Sequence, residues 1–160
     1  MDLEKHKELV QALFLQRVAD DSEIELLGSA LRDNDAHLKL MASGALIRAR
    51  ESRFKNEAIK IVERYCESDT YSDSRLTGEI LVLLTVIPYS IVCESETFRE
   101  YALEKVNSTR ETVRSNAVGV IAKFAALGDR ECLRMLKNSC CDDSQIVRRN
   151  ASAHFKNISK

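Results

Sequence analysis

Val113-Arg114-Ser115-Asn116-Ala117 returns 34 residues later as Val147-Arg148-Arg149-Asn150-Ala151. A phrase that recurs with its apolar, basic and small positions in the same order signals internal repetition, and such periods build solenoids or arrays. With the basic residue as anchor, the series extends upstream to Arg75 and Lys39. The anchors Lys39, Arg75, Arg114 and Arg148 are then spaced by 36, 39 and 34 residues. Three positions after the anchor stand Ala42, Gly78, Ala117 and Ala151, all small. Seven after it stand Leu46, Val82, Ile121 and Phe155, and one before it Leu38, Ser74, Val113 and Val147.

The positions one before, three after and seven after the anchor are four residues apart, so they share one face of a helix. Each downstream segment therefore reads as a helix with a buried stripe, its small residue where a neighbour must approach closely. The upstream segments read as helices too, through Ile24, Leu27 and Leu31; Ile59, Val62 and Cys66; Phe98, Tyr101 and Ala102; and Cys132, Met135 and Leu136. The spacing predicts helices over roughly 3–19, 22–32, 36–51, 54–67, 73–87, 95–107, 110–126, 130–139 and 144–158, paired into two-helix units. Ile80 to Ile87 has the β-branched content of a strand, but its place in the columns assigns it to a helix.

Six residues before each anchor stand Asp33, Asp69, Ser108 and Asp142. An Asp or Ser there can accept hydrogen bonds from free N–H groups at the start of the following helix. A cation in the first helical turn opposes the macrodipole, so the recurring anchor implies a compensating carboxylate. The Asp column supplies it, and a ladder of Asp and Arg or Lys partners along the stack is the expectation.

These residues resemble the HEAT repeat family, in which an Asp at the turn, a basic residue six positions later and a small residue soon after mark each helix pair. The resemblance runs from about Ser22 to Ile158 and implies an all-α fold, an α-solenoid of about four HEAT-like helix pairs plus a terminal helix, in one domain over residues 1–160. Ser108 in place of Asp, Ser74 in place of an apolar residue and Lys39 in place of Arg depart from the family's pattern.

Composition narrows the function. Lys plus Arg number 24 and Asp plus Glu 25, a balance that argues against coating nucleic acid or an anionic membrane. The longest apolar run, Ile80 to Ile87, is far shorter than the roughly 20 residues a transmembrane helix needs, and no signal peptide is legible at Met1 to Glu8. A cytoplasmic chain is the expectation. Cys66, Cys93, Cys132, Cys140 and Cys141 are an odd number without a CxxC spacing and read as free thiols. Cys132, Cys140 and His154 fit no closed zinc site.

No catalytic, cofactor-binding or metal-binding residue is assigned. His6, His37 and His154 lie in no HExxH or His-Glu arrangement, phosphate-binding glycine motifs are absent, and Cys93 has no base beside it. One branch of HEAT-like proteins excises alkylated bases from DNA. The upstream helices, taken to line the concave side, carry Lys55, Lys60, Arg64, Arg99, Lys105, Arg130, Arg134 and Lys137, but Glu57, Glu63, Glu100, Glu104 and Glu131 are mixed among them. With no Trp, base stacking has little to work with. A bilin lyase-like role shares only the repeat. The leading expectation is a non-enzymatic protein-binding scaffold, adaptor or inhibitor with another protein as partner. It would use Arg64, Arg99, Arg134 and Lys137 at the rim, and Tyr89, Ile91 and Val92 of the Pro88–Cys93 loop as an apolar anchor, unless Ile91 and Val92 fold back onto the helices.

Overall fold

The computed structural model describes residues 3–15, 20–49, 53–69 and 74–159, and among these every regular element is a helix. The fold is all-α, of the solenoid type. The chain comprises two compact units, residues 1–68 and 69–160. The expected helical stretches over 16–19 and 50–51, and the start of a helix at 73, lie outside the described residues.

The first unit holds α1 (Leu3–Leu15), α2 (Asp21–Ala30), α3 (Ala36–Arg48) and α4 (Lys55–Ser68). α3 packs against the other three and buries Leu38, Leu40, Ala42, Ala45, Leu46 and Ile47, apolar nearly all round because it is enclosed. α2 starts in a reciprocal cap: the Glu23 N–H donates to the Asp20 carboxylate at 2.9 Å, and the Asp20 N–H donates to the Glu23 carboxylate at 2.8 Å. At Gly28 the Phe54 ring comes close, so that a Cβ there would sit 2.5 Å from it and the ring would have to shift.

The second unit holds α5 (Ser74–Val86), α6 (Tyr89–Val92), α7 (Glu96–Lys105), α8 (Glu111–Ala126), α9 (Arg130–Ser139) and α10 (Gln145–Ile158). Here α8 is the enclosed helix, packed on α5, α7, α9 and α10. α9 buries only Cys132, Leu136 and Ser139, one stripe of an otherwise polar helix. α8 ends at Gly128, whose φ of 93° suits glycine, and the N–H groups of Gly128 and Asp129 return to Ala125 and Phe124 at 3.0 and 3.1 Å.

The turn column behaves alike in three of the four repeats. Asp33, Ser108 and Asp142 each accept the N–H of the residue two positions on, Asp35, Arg110 and Ser144, at 2.8, 3.2 and 2.8 Å. The ladder forms between the last two repeats, within the second unit. Arg114 donates through Nη1 to the carbonyls of Ser108 and Thr109 at 2.9 and 3.1 Å. Its Nε and Nη2 then grip both oxygens of Asp142 at 2.9 Å, with Asp143 at 2.7 Å from Nη2. The carboxylate that offsets the first-turn cation thus comes from the following repeat. In the first unit Asp35 pairs instead with Lys7, at 2.8 Å.

The columns need correction at α5. Its buried residues Ile80, Leu81, Leu83, Leu84 and Ile87 match Ala117, Val118, Val120, Ile121 and Phe124 of α8 at a constant offset of 37. Thr77, not Arg75, therefore occupies the anchor position, two residues later than the charge suggests. Thr77 is buried and donates its hydroxyl to Asp69 at 2.7 Å, whereas the exposed Arg75 pairs with Glu79 one turn on. Gly78 accordingly faces open space and Val82 is 44% exposed. Arg75 is the one cation between Asp69 and Ile87, so alignment by charge had nowhere else to fall. The apolar run Ile80–Ile87 is too continuous to set the phase by itself. With Thr77 as anchor the spacings become 38 and 37, so the added length is shared between the segment before α5 and Pro88–Cys93. That second segment is a one-turn helix, not a loop.

Candidate protein-binding face

Pro88 has no N–H, so the Leu84 carbonyl of α5 loses the donor four residues on that would continue the helix. Lys123 of α8 takes that place, donating from Nζ to Leu84 O at 2.7 Å and to Ile87 O at 2.5 Å. A cation suits the negative end of the α5 dipole. Lys123 is only 4% exposed, and burial pulls its pKa down to about 8. The Tyr89 ring lies with its centroid 5.2 Å from this ammonium while remaining 49% exposed.

The same device recurs in the first unit. Arg48 stands nine residues after Lys39, as Lys123 stands nine after Arg114, and donates to the Phe14 carbonyl near the end of α1 at 2.5 Å. This second cationic column, reaching back to the preceding downstream helix, escapes a search built on the first. Its signal was a basic residue interrupting a buried stripe at the same column in two units.

Before Tyr89, α5 leaves apolar side chains exposed. Val82 and Val86, one turn apart, are 44% and 41% exposed. A groove of about 280 Å³ is lined by Tyr89, Ala122, Ala126, His154, Asn157 and Ile158. A Cβ on Gly119 would come within 3.1 Å of Thr85 Cγ2 and 3.9 Å of His154 Nε2, so the three helices meet across this glycine. Burial lowers the His154 pKa, which favours the neutral imidazole in the groove.

The sequence-derived site residues do not converge. Tyr89 is on the surface, Ile91 is half-buried, and Val92 is fully buried, so Val92 folds back as a staple and is no surface anchor. Arg64 is exposed on α4 of the first unit. Arg99 is a clamp rather than a rim residue: it bonds Asp129 at 2.7 Å, Glu131 at 2.8 Å, Glu100 at 2.9 Å and Glu96 at 3.3 Å, joining α7 to α9. The guanidinium holds Asp129, the N-cap of α9, down to about 2. Arg134 and Lys137 are exposed on α9, on the upstream helices and not on the Tyr89 face. Lys105, counted among the possible nucleic-acid contacts, is buried against Asp69 at 3.3 Å and Glu104 at 3.2 Å. Asp69 also accepts the Tyr101 hydroxyl at 2.6 Å.

The cysteines are free thiols. Burial pushes Cys132 up to about 12 and raises Cys93 as well, which disfavours the reactive thiolate. Among the described residues no group of three His, Cys, Asp or Glu side chains could hold a metal ion, and no helix is long and apolar enough to cross a membrane.

Three crystal structures of engineered proteins from the Northeast Structural Genomics Consortium resemble this chain, with TM-scores of 0.54, 0.57 and 0.53 at 19%, 20% and 18% identity. The matches cover 86%, 100% and 98% of this chain and 63%, 45% and 80% of those proteins. At such identity they speak for the helical fold alone. No protein-family model matches the sequence, and no curated protein is recognisably similar to it.

Proposed function

We propose that the chain is a cytoplasmic, non-enzymatic protein-recognition module of HEAT-like type. The face of α5, α8 and α10 takes an apolar segment of a partner protein, with Tyr89 as its anchor. The observation that carries this reading is Tyr89 itself, a half-exposed aromatic ring held over the buried Lys123 ammonium beside a groove whose wall has no carboxylate, Lys or Arg. Rigid aromatic residues next to small grooves are frequent hot spots. No charged side chain lines the groove, which favours an uncharged side chain from the partner over a phosphate or a charged one.

A DNA-lesion role draws less support. Arg99, Lys105 and Arg114 each spend their charge on carboxylates of the same chain. The test is a pull-down from the native source followed by calorimetric titration of the recovered partner. Tyr89→Ala with Val86→Asp changes only exposed side chains, and is expected to lower affinity at least about tenfold with an unchanged helical spectrum. Unchanged affinity would remove this face from the account.

A further inference from the structure

The rung formed by Arg114 has a twin with one side unoccupied. Arg148 stands 34 residues later, and its Nη1 donates to the carbonyls of Asp142 and Asp143 at 2.6 and 2.8 Å, as Arg114 Nη1 donates to Ser108 and Thr109. On Arg114 the remaining edge holds Asp142 and Asp143. On Arg148 no carboxylate takes that edge among the described residues. The positions of α10 equivalent to Val118, Gly119 and Ala122 of α8 are Ser152, Ala153 and Lys156, and the equivalent of Ser115 is the exposed Arg149. The strip against which α10 packs is thus apolar and small on α8, but polar and cationic on α10. These residues line an open groove of about 900 Å³ with no carboxylate in its wall.

We infer that this groove binds an acidic segment of a partner protein, with two adjacent carboxylates seated on Arg148 as Asp142 and Asp143 sit on Arg114. Arg149 and Lys156 flank that seat. The two carbonyl bonds already fix the guanidinium, which lowers the ordering cost of binding, and its free edge matches a planar carboxylate. The inference rests on the reading of the chain as a protein-recognition module but uses a different groove from the one beside Tyr89, the two sharing Asn157.

The test titrates the full chain into a fluorescein-labelled peptide of repeated Asp-Asp-Ser-Gly and reads anisotropy at fixed salt. Saturable binding is expected, weakened at least about tenfold by Arg148→Gln and by the pair Arg149→Glu with Lys156→Glu, which alters only exposed side chains. An Asn-for-Asp peptide is expected not to bind. Tyr89→Ala is expected to leave peptide binding intact, so loss of partner binding at Tyr89 and loss of peptide binding at Arg148 are separate results. Absence of binding, or binding indifferent to Arg149→Glu with Lys156→Glu, overturns the inference. So does a DNA duplex or a phosphopeptide that binds through these residues more tightly than the carboxylate peptide.

Discussion

Lys123 is the residue on which the end of α5 and the Tyr89 face both depend. Lys123→Met would leave the carbonyls of Leu84 and Ile87 without this donor, one of them because residue 88 is proline. The expected cost is about 1–3 kcal/mol in a urea titration. A midpoint within error of the unaltered chain would mean that water replaces the ammonium freely. The lowered pKa adds a pH signature. Between about 8 and the ordinary lysine value of 10.5, the unfolded chain holds this proton and the folded chain does not. Stability must then rise with pH across that window, relative to Lys123→Met. Cys132, held up at about 12, works in the opposite direction above the ordinary thiol value of 9.0, which is why the difference between the two proteins is the quantity to follow. A flat difference from pH 8 to 10 would contradict the burial of the ammonium.

At the scale of the helix, burial and not charge sets the register. Ala117 is fully buried at the crossing of α8 with its neighbours, and Ala117→Leu is expected to cost about 1–3 kcal/mol by overpacking. Gly78 occupied the same column by sequence, yet a Cβ there meets nothing within 4 Å. Gly78→Ala is therefore expected to stabilise by about 0.4–1 kcal/mol, since it stiffens the unfolded chain and suits the helix. Equal penalties at both positions would restore the uncorrected alignment. The contrast also measures what the sequence could tell. Helix positions were legible wherever an apolar stripe was flanked by polar residues, as in α9. The phase of α5 was not, because Ile80 to Ile87 is apolar without a break and Arg75 offered a false anchor. The cations misled in a second way: Arg99 looks like a surface residue by type, and only the fold brings Asp129 and Glu131 to it. The exposure of Tyr89 agrees with the sequence reading of this segment, whereas the burial of Val92 does not. The groove beside Tyr89 was not legible, because Ala122 comes from α8 and His154 and Ile158 from α10, far apart in the sequence.

At the scale of the whole chain, two compact units each surround one enclosed helix, α3 in the first and α8 in the second. Residues 69–160 expressed alone are expected to give a helical spectrum and one cooperative unfolding transition, because α8 keeps its packing partners within that unit. A non-cooperative loss of helix would refute its autonomy. The last two helix pairs are locked together by the Arg114–Asp142 rung. Asp142 is held down to about 2 by the guanidinium, so the stability it contributes is present above the ordinary value of 3.8 and lost as pH falls through 2. The decisive measurement is a double-mutant cycle at pH 7 with Arg114→Ala, Asp142→Ala and both together, each read as unfolding free energy in urea. A coupling of at least about 1 kcal/mol is the result the account requires. Additive losses within about 0.5 kcal/mol would contradict it, for the two helix pairs would then be neighbours without a shared rung.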